Sequence, residues 1–210
     1  MQVVTHDFAP HDFVGGHVAL DFANTVTARD TSPCDWLDSY SRLLEWARMA
    51  GVVDAMRAAK LETSAERSPR EAAASLGRAR KTRESLHDLL VSLLADRSAP
   101  TDALADFEGA WKRASARAHL VAHGGSLLLQ PDPDSSGLDL PLDLVVFAAI
   151  DLFGELDTQR TRVCRGADCG WLFIDSSKGG RRVWCDMATC GNTAKSVRFA
   201  RAEKRRRRKT

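Results

Sequence analysis

Apolar residues recur at helical spacing through most of the first 156 positions. From Asp35 to Ala50, Trp36, Leu37, Tyr40, Leu43, Leu44, Trp46 and Ala47 keep a three-to-four residue rhythm, and Gly51 stands where a C-cap belongs. This predicts one amphipathic helix. Ser68-Pro69-Arg70-Glu71 supplies a capping serine, a proline for the first helical position and a glutamate to reach back. Leu76, Ala79, Leu86, Leu89, Leu90, Leu93 and Leu94 follow, predicting a long helix over 70–97. Thr101 is placed to cap another, in which Leu104, Phe107, Ala110, Trp111 and Ala114 carry the pattern toward Leu120 until the break at Gly124. Pro141 to Leu156 is apolar nearly all round, as expected of a helix buried among others.

Two stretches read differently. After Gly15-Gly16, Val18, Leu20 and Phe22 alternate with smaller or polar residues, which fits a short strand or the start of a helix. Ser126 to Gln130 is a short apolar run ahead of Pro131-Asp132-Pro133-Asp134-Ser135-Ser136-Gly137, read as the surface turn of a small hairpin. The expected fold class is therefore mainly α (α+β). A helical domain with a small β-hairpin spans residues 1–159, and a different kind of module spans 160–210.

Charge sharpens that division. Of 30 Lys/Arg and 28 Asp/Glu, residues 160–210 hold 15 and 4, so a net +2 conceals a C-terminal segment of +11 on a body of −9. A basic arm on an acidic body points to a polyanionic partner, DNA or RNA, although a solubilising tail has the same composition. No apolar run reaches the roughly 18 residues needed to cross a bilayer, and Met1 to Pro10 lacks the layout of a secretory signal. A soluble, cytoplasmic protein without membrane association is expected.

The chemistry is concentrated in four of the five cysteines. Cys164 and Cys169, then Cys185 and Cys190, form two C-x4-C pairs separated by fifteen residues. Four thiolates close a tetrahedral structural Zn²⁺ site and leave no open position for catalysis. Two disulfides are the competing reading, disfavoured in a reducing cytoplasm. Between the pairs, Trp171, Phe173, Ile174, Val183 and Trp184 flank Ser176-Ser177-Lys178-Gly179-Gly180, which predicts a hairpin turning at those glycines. Its aromatics would form the core around the metal or, alternatively, stack on bases. A zinc ion with four thiolates carries −2, so Arg162, Arg165, Arg181 and Arg182 are suited to neutralise it.

Beyond Cys190, Asn192 to Lys209 contains no helix breaker. Arg198, Arg201, Arg205 and Arg208 fall on one face, a basic stripe about 15 Å long. Residues 204–209 are basic all round and would fray in isolation. Arg181, Arg182, Lys195, Arg198, Arg201, Arg205 and Arg208 are the candidate nucleic-acid contacts. Roughly six to eight phosphate contacts would position the protein and make affinity fall steeply with salt, without specifying a sequence.

Cys164, Cys169, Phe173, Asp175, Arg181, Arg182, Trp184, Cys185, Met187 and Cys190-Gly191-Asn192 together resemble the bacterial CGNR zinc-finger family. The segment Ala19-Leu20-Asp21-Phe22-Ala23-Asn24-Thr25-Val26 resembles the opening motif of the ABATE domain that usually precedes this finger. The resemblance implies a stress-related transcription regulator with a zinc-bound, DNA-binding C-terminus, and no particular ligand for the N-terminal domain. Where the family has arginine after Cys-Gly-Asn, this chain has Thr193, which removes any contact specific to that arginine. The competing class is a zinc-stabilised protein interaction module that docks an acidic partner.

Other polar residues read as structural. His17, Asp21 and Asn24 could line a pocket in the N-terminal domain, but Asn24 and Thr25 also fit a helix cap and His17 a satisfied core side chain, which is the favoured reading. His119 and His123 lack a third ligand, and at a helix end they would answer the dipole. Cys34 receives no role. No catalytic constellation is recognisable, so no enzymatic activity is expected. The N-terminal domain is expected to sense a small molecule or to dimerise, a homodimer being expected only by analogy with the two-fold symmetry of DNA readers.

Overall fold

The computed structural model describes residues 1–207, without the side chains of His123 and of residues 201–207. The chain begins with β1 (Gln2–Val3), α1 (Val18–Ala23), β2 (Val26–Thr27) and β3 (Cys34–Asp35). A helical body follows in α2 (Tyr40–Met49), α3 (Ala55–Arg67), α4 (Pro69–Leu94) and α5 (Thr101–Ala116). A hairpin of β4 (Ala118–His123) and β5 (Ser126–Pro131) leads through the short α6 (Pro133–Ser136) to α7 (Leu140–Glu155). The C-terminal segment contains β6 (Thr161–Val163), β7 (Leu172–Ile174) and α8 (Asn192–Arg207).

The ambiguous stretch after Gly15-Gly16 resolves into both options in turn. His17 caps α1, its Nδ1 accepting from the Ala19 amide, and Leu20 and Phe22 point into the core. β2 then pairs antiparallel with β3, whose other edge takes β1 in parallel. The expected helix over 35–50 starts later, at Tyr40, because Ser39 caps it through the Arg42 amide and Cys34–Asp35 is drawn into the small sheet. Ser68 precedes α4 as expected, but its side chain makes no cap bond. α3 has no counterpart in the apolar pattern. Only Leu61 and Ala65 are buried, and the Asp54 carboxylate capping the Arg57 amide was its one local signal.

One continuous core fills the space between α1, α2, α4, α5 and α7, with Trp46, Phe22, Leu86 and Leu90 fully buried. Hydrogen bonds pin the helices at their polar points. The Tyr40 and Ser75 hydroxyls both donate to the Leu138 carbonyl. Arg117 bridges buried Asp139 and Asp143.

The small hairpin of this domain is displaced from its expected place. α5 stops at Ala116, β4 occupies the residues read as its last turn, and the chain reverses at Gly124-Gly125, both at positive φ. A two-residue turn of that handedness is what glycine pairs favour between antiparallel strands. Of Pro131–Gly137, read as the hairpin turn, Pro131 ends β5 and the rest forms α6 and the link to α7. His119 accordingly lies on a strand rather than at a helix end. α7 is not enclosed all round either, since Ile150 stays exposed.

Asp21 gives the body a pH dependence. Burial pushes its carboxyl up to about 7, against a hydrogen bond from the Gly15 amide that favours ionisation. A carboxyl with a raised folded pKa contributes stability below its unfolded pKa near 4 and loses it as pH rises toward 7. Asp21→Asn keeps the acceptor for Gly15 without the ionisation. In urea unfolding it should match the wild type near pH 4 and exceed it by about 4 kcal/mol at pH 8. A difference that does not change with pH would refute this.

Candidate metal centre

The C-terminal segment folds around its sulfurs. β6 and β7 pair antiparallel, Thr161 opposite Ile174 and Val163 opposite Leu172, so the chain reverses through the first cysteine pair. This differs from the expected hairpin: the strand partner of Leu172–Ile174 precedes Cys164, and Val183 and Trp184 are not in a strand. The reason is local. The Cys164 amide donates to the Trp171 carbonyl, closing the loop before the Gly-rich segment is reached. The latter is shaped by Asp175, buried, which accepts from the Ser177 and Arg182 amides. Those bonds, with the Ser177 hydroxyl foremost, hold its carboxyl below the usual carboxylate range.

Cys164, Cys169, Cys185 and Cys190 converge, their sulfurs all within 4.8 Å of one another. Cys169 and Cys185 lie 3.6 Å apart, Cys185 and Cys190 3.8 Å apart, and none is in a disulfide. Four sulfurs arranged tetrahedrally about an ion at roughly 2.3 Å are separated by about 3.8 Å, so the donor set fits such an ion. Gly166 permits the close approach: a Cβ there would meet the Cys190 sulfur at 2.9 Å and Cys169 Cβ at 3.1 Å. The amides of Gly166 and Cys185 donate to the Cys164 sulfur at 3.4 and 3.2 Å.

Left to themselves the sulfurs share protons. Hydrogen bonds from Cys169 and Cys185 pull the Cys164 thiol down, and the same sharing pushes Cys169 and Cys185 up. Only a cation makes four adjacent thiolates favourable.

The aromatics between the pairs are core. Phe173 and Trp171 are buried with the cysteines, and the Arg182 guanidinium lies 4.7 Å from the Phe173 ring centre. Arg182 Nε also donates to the Trp184 carbonyl, so this candidate nucleic-acid residue is taken up inside the module. Arg162 is engaged similarly through the Gly180 carbonyl. Arg181, Lys195 and Arg198 are exposed. The side chains of Arg201 and Arg205, and Arg208 altogether, lie outside the described residues. The second cysteine pair opens directly into α8: Asp186 caps the turn Met187–Gly191 through the Thr189 amide, and Asn192 continues as helix. Thr193 sits in the first turn of α8, its hydroxyl donating to the Thr189 carbonyl. It faces Arg165 to Cys169 across a groove of about 510 Å³.

Sequence reading missed how the module joins the body. β7 has a second edge, and the Asn24 side chain pairs with it like a neighbouring strand: its Nδ2 donates to the Leu172 carbonyl at 2.9 Å and its Oδ1 accepts from the Leu172 amide at 2.8 Å. The Ile174 amide donates to the Gly15 carbonyl and the Ala28 amide to the Cys169 carbonyl. Trp36 packs edge-on against Trp171 at 5.4 Å. Asn24 is structural, as expected: it caps the C-terminus of α1, and its side chain is in addition a clamp between residues 148 positions apart.

Among the described residues no helix is long and apolar enough to cross a membrane. Comparison with curated proteins gives no match. Two family models match: one for the CGNR zinc finger over residues 160–208, and ABATE, described as "Putative stress-induced transcription regulator", over residues 16–155, two thirds of the chain. The chain belongs to the ABATE family and ends in a CGNR zinc finger.

Proposed function

We propose that this protein is a zinc-dependent, DNA-binding transcription regulator without enzymatic activity. Zn²⁺ is the ion suited to Cys164, Cys169, Cys185 and Cys190, since it takes four thiolates in a closed tetrahedron and adds no redox chemistry. The observation that carries the reading is the continuity of the sulfur cluster with α8. Cys190 lies in the turn from which α8 starts, and that turn is the helix's principal packing partner. The metal thereby fixes the direction of a helix whose sequence is basic from Lys195 onward.

Phosphate contacts fall to Arg181, Lys195, Arg198, Arg201, Arg205 and Arg208. Arg182 instead holds the finger's aromatic core. Thr193 replaces the family arginine at the start of α8, so Lys195 and Arg198 carry the contacts nearest the metal. Such a surface supplies affinity through counterion release.

A specific observation favours the protein-docking reading: Val197, 44% exposed, and Phe199, 74% exposed, give the basic helix apolar side chains in solvent. Fluorescence anisotropy with duplex DNA at two salt concentrations separates the readings. Binding that weakens steeply between 50 and 200 mM salt, roughly 10³-fold or more for six contacts, is the expected result. No signal at low salt would reject DNA binding.

A further inference from the structure

The body carries an apolar surface that its own fold leaves uncovered. Leu93, Leu104, Trp111 and Ile150 are 39–53% exposed around a groove of about 300 Å³ between α4, α5 and α7, whose lining is apolar apart from Glu108. Trp111 and Ile150 also border the hollow beside the hairpin, so this surface runs on to β4 and β5. There Leu127 is 69% exposed, Leu120 66% and Leu129 48%. These seven side chains together leave on the order of 600 Å² of apolar area in water, at roughly 150–200 Å² for a fully exposed large side chain.

The hairpin adds a second, independent feature. β4 and β5 form a sheet of their own, so each has an unpaired edge. Solvent-facing edges are normally blunted by charge, bulges or proline along the strand. β5 reads Ser-Leu-Leu-Leu-Gln-Pro, with no charge and its only proline at the end. The two-residue turn makes Ser126 and Leu128 the residues bonded to β4 and leaves the Leu127 and Leu129 backbone groups on the free edge.

We propose that this surface is the interface with a second copy of the chain, built on antiparallel pairing of β5 with β5 of the other copy about a two-fold axis. Such pairing is self-complementary, as an isologous contact requires, because each strand offers the same alternation of donors and acceptors to its mate. It joins two hairpins into a four-stranded sheet and removes a pair of uncharged edges. The area is close to the roughly 800 Å² per partner of a standard stable interface. The seven side chains themselves carry no charge, and the groups bordering them include both signs, Asp54, Glu108 and Asp151 beside Arg57, so a copy of the chain suits the patch better than a strongly acidic or basic partner. The pairing lies on the body and does not depend on whether the finger binds DNA.

Sedimentation equilibrium and native mass spectrometry of the full zinc-loaded chain at about 10 µM test it, a concentration at which a micromolar or tighter dimer is populated. The expected species is two chains. Leu120→Lys with Leu127→Lys alters two of the most exposed side chains and should raise the dissociation constant at least tenfold while leaving the helical circular dichroism and zinc content unchanged. Leu127→Lys alone, the milder change, should shift it in the same direction. A wild-type monomer, a monomer carrying a small apolar ligand in the groove, or a dimer indifferent to the lysines would each overturn the proposal.

Discussion

Replacing Cys185 with serine should reduce bound zinc from one equivalent to less than half and abolish salt-sensitive DNA binding. Cys185 is buried, its sulfur lies beside those of Cys169 and Cys190, and its amide donates to the Cys164 sulfur. Losing it therefore removes one ligand and a support of another. Structural zinc contributes roughly 10–16 kcal/mol of binding free energy in small modules, which matches or exceeds the 5–15 kcal/mol stability of whole domains. Apart from the metal, residues 160–192 rest on β6, β7, a few aromatics, the Asp175 turn and the contacts of β7 with the body, so the module should lose its fold beyond β7. The body should keep its helices, because its core lies almost wholly in residues 8–152, but should soften where Leu172 and Ile174 lean on it. Elemental analysis and Trp171 and Trp184 fluorescence report the loss, far-ultraviolet circular dichroism the surviving helices. A variant that retains a full equivalent of zinc would show that the four cysteines are not the site.

What could be read from the sequence follows from how local each signal is. α4 was legible because a long 3.6-residue pattern records burial directly, α7 because a nearly unbroken apolar run does, and the four cysteines because metal ligands advertise themselves by spacing. The bounds failed where two local signals compete. Residues 117–120 continue a helical pattern, yet the Gly124-Gly125 turn and the pairing of Ala118 with Pro131 draw them into a strand. In the finger the Gly-rich segment looks like a hairpin turn, but the tighter closure belongs to Cys164 and Trp171. α3 was illegible because it buries little and rests on its cap. The clamp of Asn24 on Leu172 joins distant residues of unremarkable type, and one chain's sequence contains nothing that links them.

Breaking the buried ion pair behind that clamp should cost more than any loss of surface charge. Arg83 is fully buried in α4 and forks onto Asp35 in β3, Nη1 to Oδ1 at 2.7 Å and Nη2 to Oδ2 at 2.8 Å, with a further bond from Nη1 to Thr25 Oγ1 at 3.1 Å. Burial raises the Asp35 carboxyl, and the Arg83 bonds outweigh it, so the group stays below its ordinary value. The pair thus contributes stability above the unfolded aspartate pKa near 4 and loses it as pH falls. Arg83→Met fills the space but leaves a buried carboxylate with only Arg80, 3.3 Å from Oδ2, and the Leu37 amide, 3.0 Å from Oδ1. The expected cost is about 3–5 kcal/mol, toward the lower end because of Arg80. Leucine at Asp35 in the same chain should recover much of that loss, since an apolar pair is far cheaper than a lone buried charge. Trp36 follows Asp35 and packs on Trp171, while Arg29, held by Glu84, lies beside Gly170. Hydrogen exchange should therefore quicken at Trp171 and Leu172 in Arg83→Met even with zinc bound. Urea unfolding measures the stability change, and a single-variant cost below about 1 kcal/mol would mean that water, not Arg83, solvates Asp35.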